Sequence, residues 1–191
     1  MKTTETGIPG LLVVEPQVFT DERGWFFEAH SAAKFASLGI EPGVTQINHS
    51  SSKQGVLRGL HFQAPPHDQT KLVRCVRGSL FDVAVDIRRG SPTFGKWFGV
   101  ELTADNKKML YVPSGFAHGF YALTDCEMVY LCGRSGYDKA AEGGLRYDCP
   151  DIGIAWPFAG TPMVIARDAA FPTLKELVAP FVYETKGQEA L

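Results

Sequence analysis

Three side chains able to do acid–base and anion chemistry sit close together: Arg58, His61 and Lys71. The run Val56-Leu57-Arg58-Gly59-Leu60-His61-Phe62-Gln63 is strand-like. A short turn with Pro65-Pro66 follows, and Lys71-Leu72-Val73-Arg74-Cys75-Val76-Arg77 opens a second strand-like run that ends at Gly78. A guanidinium suits an oxyanion, an imidazole is a fair base near neutrality, and an ammonium stabilises a developing enolate. The reading is that two neighbouring strands carry a cation, a base and an ammonium on the floor of an active site. One obstacle is visible. Arg58 and His61 are three apart, so a regular strand points them to opposite faces. Gly59 permits a bulge that turns both inward.

The elements that must hold these groups are mostly strands. Leu11 to Val14 is a short apolar run. Val18-Phe19 and Trp25 to Glu28 flank a turn at Asp21-Glu22-Arg23-Gly24, as in a hairpin. Ser31 to Leu38 has helical character, with Ser31 as N-cap and Gly39 as stop. Val44 to Ser50 alternates, so that Gln46 and Asn48 share a face. Leu80 to Arg89 alternates too. It predicts a half-buried strand with Phe81, Val83, Val85 and Ile87 inward and Asp82, Ala84, Asp86 and Arg88 outward. Trp97 to Thr103, Lys108 to Val112, Phe120 to Leu123 and Glu127 to Cys132 complete the set, with a tight turn over Pro113 to Gly119. Residues 133–150 read as a long loop. Residues 168–178 read as helical with Asp168 at the cap, and 186–191 as a frayed tail. Many short strands with turns at short intervals predict an all-β jelly-roll barrel or sandwich with a few short peripheral helices.

Composition bounds the class. The 191 residues form one domain able to bury a real core, with a jelly-roll centre at about 44–132. A net charge of −2 gives no bulk attraction to nucleic acid. No apolar run has the length of a membrane span, and the N-terminus lacks the apolar core of a signal peptide. The four cysteines, at 75, 126, 132 and 149, form no C-x-x-C pair. They read as reduced, buried thiols of a cytoplasmic protein.

Pro113-x-Gly115-x-x-His118 resembles the second motif of the cupin superfamily. Gly55 and His61 match the glycine and first histidine of the first motif, but Gln63 stands where the second histidine belongs, and Gln69-Thr70-Lys71 lacks the following carboxylate. About three converging ligands are needed to hold a catalytic metal, and Lys71 would repel one. The expectation is a cupin barrel with neither metal nor other cofactor. That argues against a metal-dependent cupin oxygenase or isomerase.

Longer segments sharpen the match. Arg58 to Gln63, Lys71 to Arg74, Phe81 to Arg88, Ser91 to Gly95, Tyr111 to Phe120 and Asp151 to Pro157 resemble, in this order along residues 8–180, the dTDP-4-dehydrorhamnose 3,5-epimerase family. The resemblance implies a dTDP-4-keto-6-deoxyhexose substrate whose C3 and C5 protons are acidified by the C4 ketone. It implies His61 as base, Asp168 as its carboxylate partner, Tyr130 as acid and Lys71 at the keto oxygen. Read alone, Asp168 is a helix cap, Tyr130 a core tyrosine and Lys71 a solvated strand end. Arg58 would take the diphosphate. Arg23, Glu28, Gln46, Asn48, His118 and Glu142 match further contacts, Arg167 stands where the family often has lysine, and Tyr137 matches a thymine-stacking tyrosine. Where the family usually reads Tyr-Lys-Thr-Thr-Asp-Tyr-Tyr, this chain has Tyr130-Leu131-Cys132-Gly133-Arg134-Ser135-Gly136-Tyr137. This departure leaves a C3-only epimerase as the alternative. The family is also homodimeric, which implies that residues 8–30 lie at a subunit interface. A sugar-nucleotide binder without catalysis would not need His61, Asp168, Tyr130 and Lys71 together.

Overall fold

The computed structural model describes residues 1–41 and 43–184; the tail expected to fray lies outside them. In chain order the strands are β1 (Lys2–Glu5), β2 (Leu12–Glu15), β3 (Phe19–Asp21), β4 (Gly24–Phe26), β5 (Gln46–Ser52), β6 (Leu57–Gln63), β7 (Gln69–Arg77) and β8 (Ser79–Asp86). They continue with β9 (Arg88–Arg89), β10 (Trp97–Thr103), β11 (Met109–Val112), β12 (Phe116–Ala122), β13 (Cys126–Arg134), β14 (Glu142–Gly144) and β15 (Phe181–Val182). The helices are α1 (Ala32–Ser37) and α2 (Ala166–Ala169).

Two sheets carry the molecule. One has the order β1-β2-β11-β7-β13-β5 and the other β10-β8-β12-β6-β14, and the pairings within both are antiparallel. Their inner faces meet in one core, where Val13, Val73, Leu110 and Val112 of the first sheet pack with Leu80, Ala84, Leu102, Phe116 and Phe120 of the second. The fold is thus the expected jelly roll. Truncating one of its large members, such as Phe120, removes about 3–5 kcal/mol through lost burial and the cavity left behind.

Several local expectations change. β6 and β7 are not side by side; they belong to opposite sheets. The turn over residues 64–68 carries the chain from one layer to the other, so His61 and Lys71 face each other rather than share a floor. β8 is not half-buried: Asp82 and Asp86 are both fully enclosed, because each is satisfied inside. Asp86 accepts from Arg88 Nε at 2.8 Å and Nη2 at 2.7 Å, from Ser91 Oγ at 2.6 Å and from Thr93 Oγ1 at 2.7 Å. Burial pushes this carboxyl up, and those donors more than reverse it, holding it below its ordinary value.

The turn after Pro113 is shorter than expected, and β12 begins at Phe116, so His118 lies within a strand. The long loop contains β14, which pairs with β6. Ser31 precedes α1 in an extended conformation without a side-chain cap, while Gly39 takes φ +73° just after it, as a helix stop requires. The helical segment expected over 168–180 is only the single turn of α2, followed by irregular chain. Pro172 lies just beyond it and cannot continue a helix. Asp168 is inside that turn rather than at its cap, which is Ile165.

Candidate active site

Gly59 decides how β6 presents its side chains. It has φ +124°, and a Cβ there would lie 2.7 Å from the Cα of Gly119 on β12. Glycine is required on both counts. The β6–β12 register slips at this point: His61 pairs with His118, yet Arg58 pairs with Phe120. The irregularity brings Arg58 and His61 to one cleft, as the sequence reading required.

That cleft, of about 230 Å³, opens between the two sheets. Arg58, His61, His118 and Glu142 border it from one sheet, and Lys71, Tyr130, Met128 and Ser50 from the other. Six of the residues expected to do chemistry or bind (Arg58, His61, Lys71, His118, Tyr130 and Glu142) therefore converge, although they come from five separate strands.

Asp168 stands behind His61. Its Oδ1 is 3.0 Å from His61 Nε2, and its Oδ2 accepts from the Gly59 N–H at 3.0 Å. Burial raises this carboxyl, but His61, the Gly59 N–H and Arg167 outweigh it and hold it below its ordinary value. It is therefore an anion that orients the imidazole. The expected cap role is absent; the carboxylate is committed to the His61 imidazole and to the Gly59 bulge that positions it.

Arg167 ties the rim together. It donates from Nη1 to Glu142 Oε2 at 2.8 Å and from Nε to Asp168 Oδ1 at 3.2 Å, and its Nη2 is 3.3 Å from His61 Nε2. Five rigid donors make such a three-way contact natural for arginine and not for lysine. Burial lowers its pKa, and Glu142 and Asp168 more than compensate, so it stays charged.

Across the cleft, burial pushes the Lys71 ammonium below its ordinary pKa, while the fields of Cys132, Asp82 and Glu142 oppose this. Burial likewise raises Tyr130, with Cys132 adding to the rise and Arg58 opposing it. Tyr130 therefore keeps its proton at neutral pH. Cys132 pairs with Lys71 in register, and its thiol is also pushed up by burial.

The nucleotide-contact candidates separate into two groups. Gln46 donates to Asn48 Oδ1 at 2.7 Å and accepts from the Tyr137 N–H at 2.9 Å; Tyr137 Oη donates to Glu142 Oε2 at 3.0 Å. These four form a chain that runs to the cleft, with the Tyr137 ring 56% exposed beside it. Arg23 and Glu28 are not brought there. Arg23 pairs with Asp21 at 2.6 Å on the β3–β4 hairpin, and Glu28 pairs with Lys34 at 3.0 Å. Beside them Trp25 and Phe26 are 60% and 67% exposed.

The sequence reading missed Asp82. It accepts from His118 Nε2 at 2.7 Å through Oδ1 and lies 3.1 Å away through Oδ2. An acid in an otherwise apolar strand was the available signal, and alternation alone assigned it to solvent. Gln63, where a metal cupin carries histidine, is buried and used structurally. It donates to the carbonyls of His67 at 2.6 Å and Gly136 at 3.1 Å and accepts from the Asp138 N–H at 2.7 Å.

The chain is similar to known proteins over most of its length. The sequence profile of the dTDP-4-dehydrorhamnose 3,5-epimerase family matches residues 5–176. A protein of that name from Salmonella typhimurium is 48% identical over 177 residues, covering 92% of this chain and 97% of its own. One from Shigella flexneri is 51% identical over 170 residues, covering 88% and 93%. A solved dTDP-6-deoxy-D-glucose-3,5-epimerase from Legionella pneumophila, in complex with dTDP-4-keto-L-rhamnose, superposes with TM-score 0.92 at 40% identity, over 96% of this chain and 99% of that one. A 3'-monoepimerase from Streptomyces bikiniensis, in complex with dTDP-quinovose, gives 0.83 at 40% identity over 88% and 86%. The chain belongs to the dTDP-4-dehydrorhamnose 3,5-epimerase family.

Proposed function

We propose that this protein is an isomerase that epimerises C3 and C5 of dTDP-4-dehydro-6-deoxy-D-glucose, giving dTDP-4-dehydro-L-rhamnose for dTDP-L-rhamnose biosynthesis. The observation that carries the mechanism is that His61 and Tyr130 border one cleft from opposite sheets, with Lys71 beside it. Epimerisation removes a proton from one face of a carbon and returns one to the other. A base and an acid on opposed walls answer that need without moving the sugar.

In this reading Asp168 engages His61 Nε2, which leaves Nδ1 to take the carbon-bound proton. The electron pair passes into the C4 carbonyl as an enolate, and Lys71 faces that oxygen as a preorganised cation. Tyr130 gives its phenolic proton to the opposite face, and solvent restores both residues. Arg58 takes the diphosphate. Gln46, Asn48, Tyr137, Glu142 and Arg167 hold the nucleotide end, and His118, braced by Asp82, contacts the sugar. Arg23 and Glu28 complete the nucleotide contacts of a second subunit. This homodimer reading is supported by their pairing with Asp21 and Lys34 rather than with cleft residues, and by the exposed Phe19, Trp25 and Phe26 around them. Among the described residues no helix is long and apolar enough to cross a membrane.

The deciding experiment is incubation of dTDP-4-keto-6-deoxyglucose with the protein in heavy water, with C3 and C5 read by NMR. Deuterium at both carbons is expected. Exchange at C3 alone would select a monoepimerase, and no exchange at either would leave only a binding protein.

A further inference from the structure

The inner face of β5 carries a polar residue at every second position: Gln46, Asn48, Ser50 and Ser52. Three have partners. Gln46 and Asn48 bond each other at 2.7 Å, and Ser52 Oγ accepts from Arg58 Nε at 3.0 Å. Ser50 does not. Its hydroxyl oxygen is buried without a hydrogen bond, the sole such side-chain atom among the described residues. The residue borders the cleft beside Arg58, Met128 and Tyr130, and it pairs with Met128 in the β5–β13 register.

An enclosed polar group without a partner destabilises the protein that carries it, and such groups are rare in native folds. An apolar residue would serve the free protein better here. We infer that Ser50 is a substrate-binding residue, whose hydroxyl turns into the cleft and donates to an oxygen of the bound sugar nucleotide. Rotation about Cα–Cβ to another staggered well is all the change needed. The position narrows the acceptor. Ser50 lies along β5 between Asn48, on the nucleotide side, and Ser52, which holds Arg58. The acceptor is therefore a phosphoryl oxygen or a hexose hydroxyl next to the phosphate. The inference rests on the sugar-nucleotide reading of the same cleft.

The test is Ser50→Ala in the full chain, measuring thermal unfolding and calorimetric affinity for dTDP and dTDP-glucose. The expected melting temperature is equal to or a few degrees above wild type, because an unpaired hydroxyl has been removed. Affinity for dTDP-glucose should fall about five- to tenfold, the worth of one neutral hydrogen bond. If dTDP weakens equally, the acceptor is phosphoryl; if dTDP is unaffected, it is the hexose. Unchanged affinity for both ligands, or a melting temperature lowered by several degrees, would overturn the assignment. Wild-type protein that binds neither ligand would instead overturn the sugar-nucleotide reading, and this inference with it.

Discussion

Two histidine–aspartate pairs stand opposite each other in this molecule, and they are built differently. His61 and His118 are register partners on β6 and β12. His118 shows the cleft only 6% of its side chain, and its aspartate comes from the next strand of the same sheet. His61 is 24% exposed to the cleft, and its aspartate arrives from α2, far along the chain. Asp82 contacts its histidine through both oxygens. Asp168 divides itself among His61, the Gly59 N–H and Arg167. An imidazole locked inside a sheet is suited to orient and to donate; one held from behind and open in front is suited to take a proton. A third pair, His49 with Glu127 at 3.1 Å, lies on the surface and shows what the same residues do without enclosure.

The sharpest way to break the contrast is His61→Ala. Solvent exchange at C3 and C5 should fall about 10³–10⁴-fold, within the range for general base catalysis, while dTDP binding persists. Near-normal turnover would move the base elsewhere, with His118 the first alternative.

Lys71→Met tests the wall facing both histidines. Turnover should fall about 10²–10³-fold if the ammonium stabilises the enolate. The melting temperature should rise, because burial depresses the lysine pKa in the fold. The unfolded chain then binds the proton more tightly than the folded one. Between the folded and unfolded pKa values, wild-type stability therefore climbs as pH rises, and the methionine variant should lack that climb. A variant that loses both stability and activity would assign Lys71 a structural role.

The two aspartates should separate by readout. Asp82→Asn leaves a nearly buried histidine facing an amide and should cost about 1–3 kcal/mol of folding stability, measured by urea unfolding. Asp168→Asn should mainly cost turnover, by about 10²–10⁴-fold, since it weakens the support of the imidazolium. It should also change the acid limb of stability. Asp168 is held below its ordinary pKa, so its contribution is full above the unfolded carboxylate range and is lost as pH falls toward its folded value. The asparagine variant should lose less stability than wild type between neutral pH and about pH 3. Equal losses would show that the carboxylate is not so held.

The smallest effect belongs to the surface pair. Glu127→Gln should leave melting temperature and turnover unchanged within error, because exposed ion pairs are screened. A marked drop in turnover would couple β5 to the cleft in a way its exposed face does not suggest.

Local sequence carried much of the fold. The alternation in residues 80–89 and the strand-like runs 97–103 and 108–112 became β8, β10 and β11 because side-chain alternation is a local property of the pleat. The alternation failed where charge met enclosure. Asp82 and Asp86 look solvent-facing in sequence, and only their distant or looping partners, His118 and the Ser91–Thr93 turn, make burial tolerable. The helix expected over 168–180 failed for a local reason: Pro172 cannot continue it, and only the single turn of α2 forms, from which Asp168 reaches Gly59 and His61.

By itself the sequence determined the chemical inventory: an imidazole, a phenol, an ammonium, guanidinium groups, and Gln63 where a metal-binding barrel would have its second histidine. It also determined the bulge at Gly59, since Arg58 and His61 cannot otherwise share a face. Only the tertiary structure decided that His61 and Lys71 lie on opposing sheets, that Asp168 reaches Gly59 across 109 residues of chain, and that Ser50 faces the cleft unpaired. The reason is physical. Which face a side chain takes follows from the backbone within a few residues, whereas which sheet a strand joins depends on loop closure and the packing of the whole core.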